Sequence, residues 1–199
     1  MKKQMKNKRG LLIVLSAPSG GGKTTIAHQL LRRDKNIVRS ISCTTRDPRQ
    51  GEKNGKDYFF TTAAKFKTMV KKKTFLEWAK VHRCFYGTPG HWVEGQLNKG
   101  KDVLFVIDVQ GGKTIKRKVR DSVLIFVKPP SFKVLKERLL GRQSEDAKAL
   151  KVRLNDALWE TKEGKHYDYQ VINDRLAEAV SQVLKIIKNE RKKRMKTPL

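Results

Sequence analysis

The residues best suited to chemistry form one glycine-rich segment near the start of the chain. In order, this segment contains Ala17, Pro18, Ser19, Gly20, Gly21, Gly22, Lys23 and Thr24. Glycine lets successive backbone N–H groups turn towards a single phosphate group. A lysine followed by a hydroxyl side chain suits the outer phosphates of a nucleoside triphosphate and its Mg²⁺. We therefore predict a phosphate-binding loop, in which Lys23 reaches the β- and γ-phosphates and Thr24 offers its hydroxyl to Mg²⁺.

The segments on either side of the loop support this interpretation. Residues 11–16 form a short apolar run, which is typical of a strand buried on both faces of a parallel sheet. Residues 24–33 predict a helix whose positive end would face the phosphates. The alternative is an ordinary glycine-rich turn, and Ala17 departs from the generic motif, which begins with glycine. Strand, loop and helix in this order favour nucleotide binding but do not identify the phosphoryl acceptor.

A second group of residues is suited to holding another phosphate. Arg46 and Arg49 flank Pro48 in a predicted turn, and the arginine fork matches the geometry of phosphate oxygens. An isolated arginine is more often part of a solvated basic turn. The pair therefore needs support from the motifs around it.

The elements that must position these residues alternate between strands and helices. Apolar runs predict further strands at residues 37–42, 103–107, 123–127 and 170–172. Ser131 is expected to cap a helix that ends near residue 141, another helix ends near Thr161, and the last begins near Leu176. The alternation predicts an α/β fold with a parallel sheet.

The stretch from Cys43 to about Gly95 has a different pattern, with turn signals and short strands at 57–60 and 74–81. Thr61 or Thr62 is expected to cap a helix that runs to Lys72. We predict that this stretch is an inserted α+β subdomain.

The composition restricts the partners and the compartment. The chain has 199 residues and a formal net charge of +27, with basic runs at both ends. Such a charge attracts polyanions, but neither end carries aromatic residues for base stacking, so we expect no specific nucleic-acid binding. Cys43 and Cys84 form no CxxC pair, and no apolar run is long enough to span a membrane. We expect a cytoplasmic protein.

Taken together, the motifs closely resemble guanylate kinases. The resemblance runs from Leu11 to about Val183. Besides the loop, it rests on Thr44-Thr45-Arg46-x-Pro48-Arg49, Gly55-Lys56-Asp57-Tyr58, Phe75-Leu76-Glu77-Trp78, Tyr86-Gly87, Ile107-Asp108-Val109-Gln110-Gly111, Arg138-Leu139, Arg142 and Arg153-Leu154.

The resemblance implies transfer of a phosphoryl group from ATP to GMP, with dGMP as a second acceptor and Mg²⁺ as cofactor. It implies that Ala17 to Thr25 and Asn173 bind ATP, and that Thr24 and Asp108 serve the metal. The implied catalytic residues are Lys23, Arg46, Arg142 and Arg153. The implied GMP-binding residues are Ser42, Arg46, Arg49, Tyr58, Glu77, Tyr86, Thr88 and Asp108. A carboxylate at position 77 suits guanine, because N1–H and the N2 amine are adjacent donors.

The same resemblance implies a domain plan. The P-loop kinase core would cover residues 11–42 and 96–185, with a helical lid at about 142–154. The GMP-binding insert would cover 43–95, and basic tails would cover 1–10 and 186–199.

Three residues depart from the family pattern, and two other activities remain as alternatives. Thr88 replaces a serine and keeps the hydroxyl group. Val106 stands where relatives usually carry an acidic residue, and Gln143 stands where many have glycine. A ribose-bisphosphate kinase would need no guanine reader, so Glu77 and Thr88 argue against it. A non-catalytic binding module of this family typically lacks the loop lysine, which is present here as Lys23.

Overall fold

The computed structural model describes residues 9–81, 83–140 and 147–196. Within these ranges the chain forms two β-sheets and seven α-helices. No helix in this part of the chain is long and apolar enough to cross a lipid bilayer.

The central sheet contains five parallel strands. They are β1 (Leu12–Ser16), β2 (Ile37–Arg39), β7 (Asp102–Val106), β8 (Val123–Lys128) and β9 (Tyr169–Ile172). Their order across the sheet is β2-β7-β1-β8-β9, so β1 lies in the middle. All five residues of β1 are buried, which explains its uninterrupted apolar sequence.

The described part of the chain contains seven α-helices, four of which cover the two faces of this sheet. The seven are α1 (Lys23–Arg33), α2 (Ala63–Lys71), α3 (Gly90–Asn98), α4 (Val109–Lys118), α5 (Phe132–Leu140), α6 (Ala147–Glu163) and α7 (Leu176–Lys196). Helices α1 and α7 pack on one face, and α3 and α4 pack on the other. The two apolar clusters hold the carboxyl ends of the strands in place, where the predicted site residues lie.

The second sheet contains four strands, which are β3 (Cys43–Thr44), β4 (Phe59–Phe60), β5 (Phe75–Val81) and β6 (Cys84–Pro89). Their order across the sheet is β4-β3-β6-β5. Helix α2 packs against it through Phe66, whose ring stacks on Phe75 with centroids 4.6 Å apart. The side chain of Thr62 accepts the N–H of Lys65 at 3.2 Å, which confirms one of the two caps predicted for this helix.

The strand predicted at 37–42 is shorter than expected. It ends at Arg39, and the chain then leaves the central sheet for the second one, where Cys43 lies opposite Gly87. No glycine or proline separates Arg39 from Cys43, so no turn signal in the sequence marks the change of sheet. The expected insert boundary at residue 95 lies within α3, and Val93 and Leu97 of α3 are buried against the central sheet.

The predicted basic tail from residue 186 is instead the continuation of α7, as far as Lys196. Ile187 is buried one turn after Val183, so the apolar stripe that faces the sheet extends into this segment. Arg191 forms salt bridges to Asp34 at 2.7 Å and to the buried Asp102 at 2.6 Å. We call these three residues the Arg191 clamp. The charges expected to be solvated are therefore part of the fold.

Candidate active site

The glycine-rich loop joins β1 to α1, as the sequence predicts. Gly20 and Gly22 have φ angles of 81° and 88°, which lie in the left-handed region that favours glycine. A side chain on Gly22 would meet Asn173, because a Cβ atom there would lie 2.3 Å from Asn173 Nδ2. Asn173 follows β9 and donates this amide to the carbonyl of Gly21 at 3.0 Å. Asn173, which is predicted to bind ATP, thus contacts the backbone of the phosphate loop.

Lys23 begins α1 and extends towards the end of β7. Its ammonium group donates to the carbonyl oxygen of Ile107 at 3.3 Å. Burial lowers the pKa of the Lys23 amine, although the carboxylates of Glu160 and Asp108 oppose this change. The loop therefore brings a partly desolvated cation beside the carboxyl ends of β1 and β7, where phosphate charge would stabilise it.

Asp108 connects β7 to α4. Its Oδ1 accepts the N–H groups of Gln110 at 2.7 Å and Gly111 at 3.1 Å, so it caps this helix. Thr24 is exposed in the first turn of α1. Val106 is half-buried and packs against the apolar cluster beneath α1 and α7. Among the described residues, no three acidic, histidine or cysteine side chains group together as a metal site.

Three of the residues predicted to read guanine lie together in a hydrogen-bonded chain. Glu77 on β5 is only 2% exposed. Thr88 Oγ1 on β6 donates to Glu77 Oε1 at 2.7 Å, and Ser42 Oγ lies 2.9 Å from Thr88 Oγ1. The Thr88 hydroxyl bonds to Oε1 of the carboxylate, and the other oxygen, Oε2, faces Gly111. A Cβ atom on Gly111 would lie 3.1 Å from that oxygen, so glycine keeps the space in front of the carboxylate open.

The environment of Glu77 favours its protonated form. Burial raises the pKa of Glu77 to about 7, while the hydrogen bond from Thr88 opposes the shift and the charge of Asp108 adds to it. Burial makes the charged form of this carboxyl group costly when hydroxyl groups are its only side-chain partners. Two N–H donors from a ligand would stabilise the charged form.

The residues predicted to hold the GMP phosphate also lie close together. They have an acidic partner, Glu52, that the sequence argument missed. Arg46 Nη2 contacts both carboxylate oxygens of Glu52 at 2.8 Å, and the backbone N–H of Arg49 donates to Glu52 at 2.8 Å. The Arg46 guanidinium carbon lies 5.5 Å from the Tyr58 ring centroid, and the Tyr58 and Tyr86 rings are 6.0 Å apart. In this arrangement Glu52 neutralises Arg46.

The structure describes some of the predicted lid residues and not others. Arg142 and Gln143 lie outside the described residues, and Arg153 is half-buried on α6. Arg138 on α5 donates to the carbonyl of Asn173 at 3.1 Å. Glu160, which the sequence argument did not single out, also lies on α6, and its Oε2 accepts the N–H of Ser19 in the phosphate loop at 3.0 Å.

Glu160 therefore connects α6 to the phosphate loop. Burial raises the pKa of Glu160, and the charge of Lys23 opposes this shift. No sequence signal marks a glutamate on the face of a helix as a partner of a loop 141 residues away.

A family model described as guanylate kinase matches residues 9–190. The chain belongs to the guanylate kinase family. It is 46% identical to the guanylate kinase of Thermotoga maritima over 185 residues, which cover 93% of this chain and 89% of the relative. It is 45% identical to the guanylate kinase of Rickettsia typhi over 190 residues, which cover 96% of each.

A solved guanylate kinase structure, from Anaplasma phagocytophilum, has a similar fold. The TM-score is 0.80 at 34% sequence identity, and the match covers 98% of this chain and 91% of that one. The family and the α/β P-loop fold predicted from the sequence are thereby confirmed. Within this guanylate kinase fold, the phosphate loop lies at the end of the central sheet and the Glu77 chain lies on the second sheet.

Proposed function

We propose that the protein transfers the γ-phosphoryl group of ATP to GMP, giving ADP and GDP. The observation that carries this proposal is the buried Glu77–Thr88–Ser42 chain, in which Oε1 of the carboxylate accepts from Thr88 while Oε2 faces Gly111. Guanine presents N1–H and an N2 amine side by side, and this oxygen with its carboxylate partner would accept both. Adenine presents no such pair. We also expect dGMP as an acceptor.

Phosphoryl transfer here would depend on positioning and charge neutralisation, with no covalent intermediate. Backbone N–H groups of the loop from Ala17 to Thr25 would hold the ATP phosphates, and Lys23 would neutralise charge on the β- and γ-phosphates. Asn173 would support the loop through Gly21. Arg153, together with Arg142, would close over the transferring group, since positive charge in a site without water stabilises the transition state.

Arg46, Arg49, Tyr58 and Tyr86 would hold the phosphate of GMP. Arg46 is already within 5.5 Å of the Tyr58 ring, and its present partner is Glu52. Incoming phosphate would compete with Glu52 for the same guanidinium group. The acceptor oxygen would then be held on the side of the site that faces Lys23 and the loop.

The donor groups on the protein fit a Mg²⁺ ion that is held mainly by substrate phosphates. Mg²⁺ keeps several waters and needs few protein ligands. The exposed Thr24 hydroxyl would bind it, and Asp108, one of whose oxygens is used by the α4 cap, would orient its waters. The ion would supply neutralisation of the negative charge on the substrate phosphates.

The test is a coupled assay of ADP production with GMP, dGMP, AMP, UMP and CMP as acceptors. We expect activity with GMP and dGMP and little with the other three. Activity with a ribose bisphosphate instead of GMP would contradict the proposal, and so would GMP binding without turnover. The second result would favour a non-catalytic binding module.

A further inference from the structure

Arg39 is the last residue of β2, at an edge of the central sheet. It lies in register with Leu104, and the next residue, Ser40, donates its N–H to the Leu104 carbonyl at 2.9 Å. These bonds fix the backbone of Arg39 at the carboxyl end of the strand, which is the end where ligands bind in α/β sheets. Its side chain is half-buried and reaches towards the second sheet.

The guanidinium group of Arg39 lies against a predicted GMP-binding residue. Its central carbon is 5.9 Å from the centroid of the Tyr58 ring. The same ring has the Arg46 guanidinium 5.5 Å away and the Tyr86 ring at 6.0 Å. Two guanidinium groups, one from each sheet, therefore share one aromatic ring.

The two arginines differ in their partners. Arg46 is paired with the Glu52 carboxylate at 2.8 Å. Arg39 makes no salt bridge and no side-chain hydrogen bond within residues 9–81, 83–140 and 147–196. In this part of the chain, its guanidinium group contacts the Tyr58 ring. A half-buried guanidinium without an anion loses solvation and gains little in return. Its repulsion with the nearby Arg46 is relieved when an anion lies between them.

We propose that Arg39 is a further binding residue for the phosphate of the acceptor nucleotide. This inference rests on the proposed function, because it assumes that the acceptor phosphate binds beside Arg46, Tyr58 and Tyr86. Arg39 would hold that phosphate from the central sheet, while Arg46 holds it from the second sheet. A phosphate bound by both would connect the sheet that carries the phosphate loop to the sheet that carries the guanine reader.

The experiment measures steady-state kinetics for Arg39→Ala and for a matched control, Arg33→Ala. Arg33 is exposed on α1, and its substitution by alanine removes the same charge. For Arg39→Ala we expect the KM for GMP to rise about 10- to 100-fold, as for loss of a charge-assisted phosphate contact, with the KM for ATP changed less than about twofold. Arg33→Ala should resemble the parent. Arg39→Lys should recover part of the loss, whereas Arg39→Gln should not.

Inhibition by guanosine separates a phosphate contact from a general disturbance of the site. Guanosine has the base but no phosphate, so its inhibition constant against GMP should be the same in the parent and in Arg39→Ala. An equal weakening of guanosine and GMP would overturn the inference, because Arg39 would then support the fold of the site. An unchanged KM for GMP with a lower melting temperature would also overturn it, because the residue would only pack on Tyr58.

If the alanine variant does not fold, Arg39→Gln keeps most of the side-chain stem and decides the same question. Absence of GMP turnover in both the parent and Arg33→Ala would contradict the proposed function itself. That result is distinct from a failure of Arg39 alone.

Discussion

At the scale of single residues, we expect acceptor choice to depend on Glu77. Its carboxylate would attract the donor pair of guanine and repel the N1 acceptor of adenine. Glu77→Gln keeps the size but places an amide N–H₂ opposite a guanine donor, which costs about 2–4 kcal/mol. We expect kcat/KM for GMP to fall about 30- to 1000-fold, while AMP loses far less. The measurement is kcat/KM for both nucleotides on both proteins.

Glu178→Gln is a suitable control for this variant, because Glu178 is exposed on α7 and its substitution removes the same charge. Circular dichroism checks that both variants are folded. A change of less than about threefold in the GMP:AMP ratio would show that Glu77 does not read guanine.

The raised pKa of Glu77 predicts how GMP binding depends on pH. With a pKa of about 7 in the empty site, the carboxylate that guanine needs is lost as the pH falls. We expect the KM for GMP to rise about tenfold between pH 8 and pH 6. The GMP phosphate titrates near pH 6 as well, so Glu77→Gln is the control. In that variant, the KM for GMP should keep only the pH dependence that arises from the GMP phosphate.

Stability should depend on pH in the opposite sense. The pKa of Glu77 is raised from 4.5 to about 7 on folding, so its contribution is present below the unfolded pKa and is lost as the pH rises through 7. Glu77→Gln should therefore gain stability over the parent between pH 5 and pH 8, by up to about 3 kcal/mol. Urea unfolding without nucleotide measures this gain. A constant difference across this range would contradict the assigned titration.

We expect turnover to depend on Lys23. Lys23→Ala should lower kcat by several orders of magnitude, because the cation meets the charge that moves during transfer. The fold should survive, since burial of the ammonium group opposes its charged form. Lys35→Ala, an exposed position after α1, is the control. Near-normal activity of a folded Lys23→Ala protein would show that the loop does not serve phosphoryl transfer.

The sequence pointed to candidate site residues that belong to local motifs, and it missed the acidic partners whose contacts depend on the fold. The order of strand, glycine-rich loop and helix is enough to locate Lys23 and Thr24. The roles of Glu52 and Glu160 depend on which cation or N–H group the fold brings to a carboxylate. Arg39 was read only as part of an apolar strand, because nothing in its neighbours indicates that Tyr58 lies beside it.

At the scale of elements, the buried strands were predicted within a residue or two, because a strand covered on both faces must be apolar throughout. The exception is the segment after Arg39, where no glycine or proline marks the point at which the chain changes sheets. The end of α7 was missed for another reason. A run of lysine and arginine resembles a solvated tail until its acidic partners, distant in sequence, are known.

The Arg191 clamp predicts that the end of α7 stabilises the fold. Asp102 is 2% exposed and also accepts the N–H of Leu11 at 2.8 Å. Although burial opposes it, Arg191 helps to hold the pKa of Asp34 below its usual value. Arg191→Ala leaves the buried Asp102 without its cation, and we expect a loss of about 3 kcal/mol in the free energy of unfolding.

Urea unfolding of Arg191→Ala and of Lys192→Ala measures this effect. Lys192 is the exposed neighbour, so its variant controls for loss of one charge from the same turn. Truncation after Asn189 should cost at least as much as Arg191→Ala, while the KM for GMP of the folded fraction stays unchanged. Equal stability of both point variants would show that the clamp contributes nothing.

At the scale of the whole molecule, the net charge of +27 should make stability depend on salt. Like charges repel within the compact state, and raising NaCl from about 10 to 150 mM shortens the screening length from about 30 to 8 Å. We expect the melting temperature to rise, by about 2–4 °C for each kcal/mol regained. Chloride is the proper anion, because phosphate and sulfate would bind at the site itself. A fall in melting temperature would mean that ion pairs outweigh the repulsion.

The contacts at the end of α7 have a further consequence for how the chain is connected. Arg194 donates to the carbonyl of Gly10 at 2.6 Å and also pairs with Asp121. The entry to the first strand and the exit from the last helix are therefore neighbours, and the folded backbone is close to a closed ring. In such a ring the starting point is arbitrary, and exposed turns such as Lys72–Lys73 are natural places for new ends. We expect a circularly permuted protein, in which a linker joins Gly10 to the end of α7, to adopt the same fold.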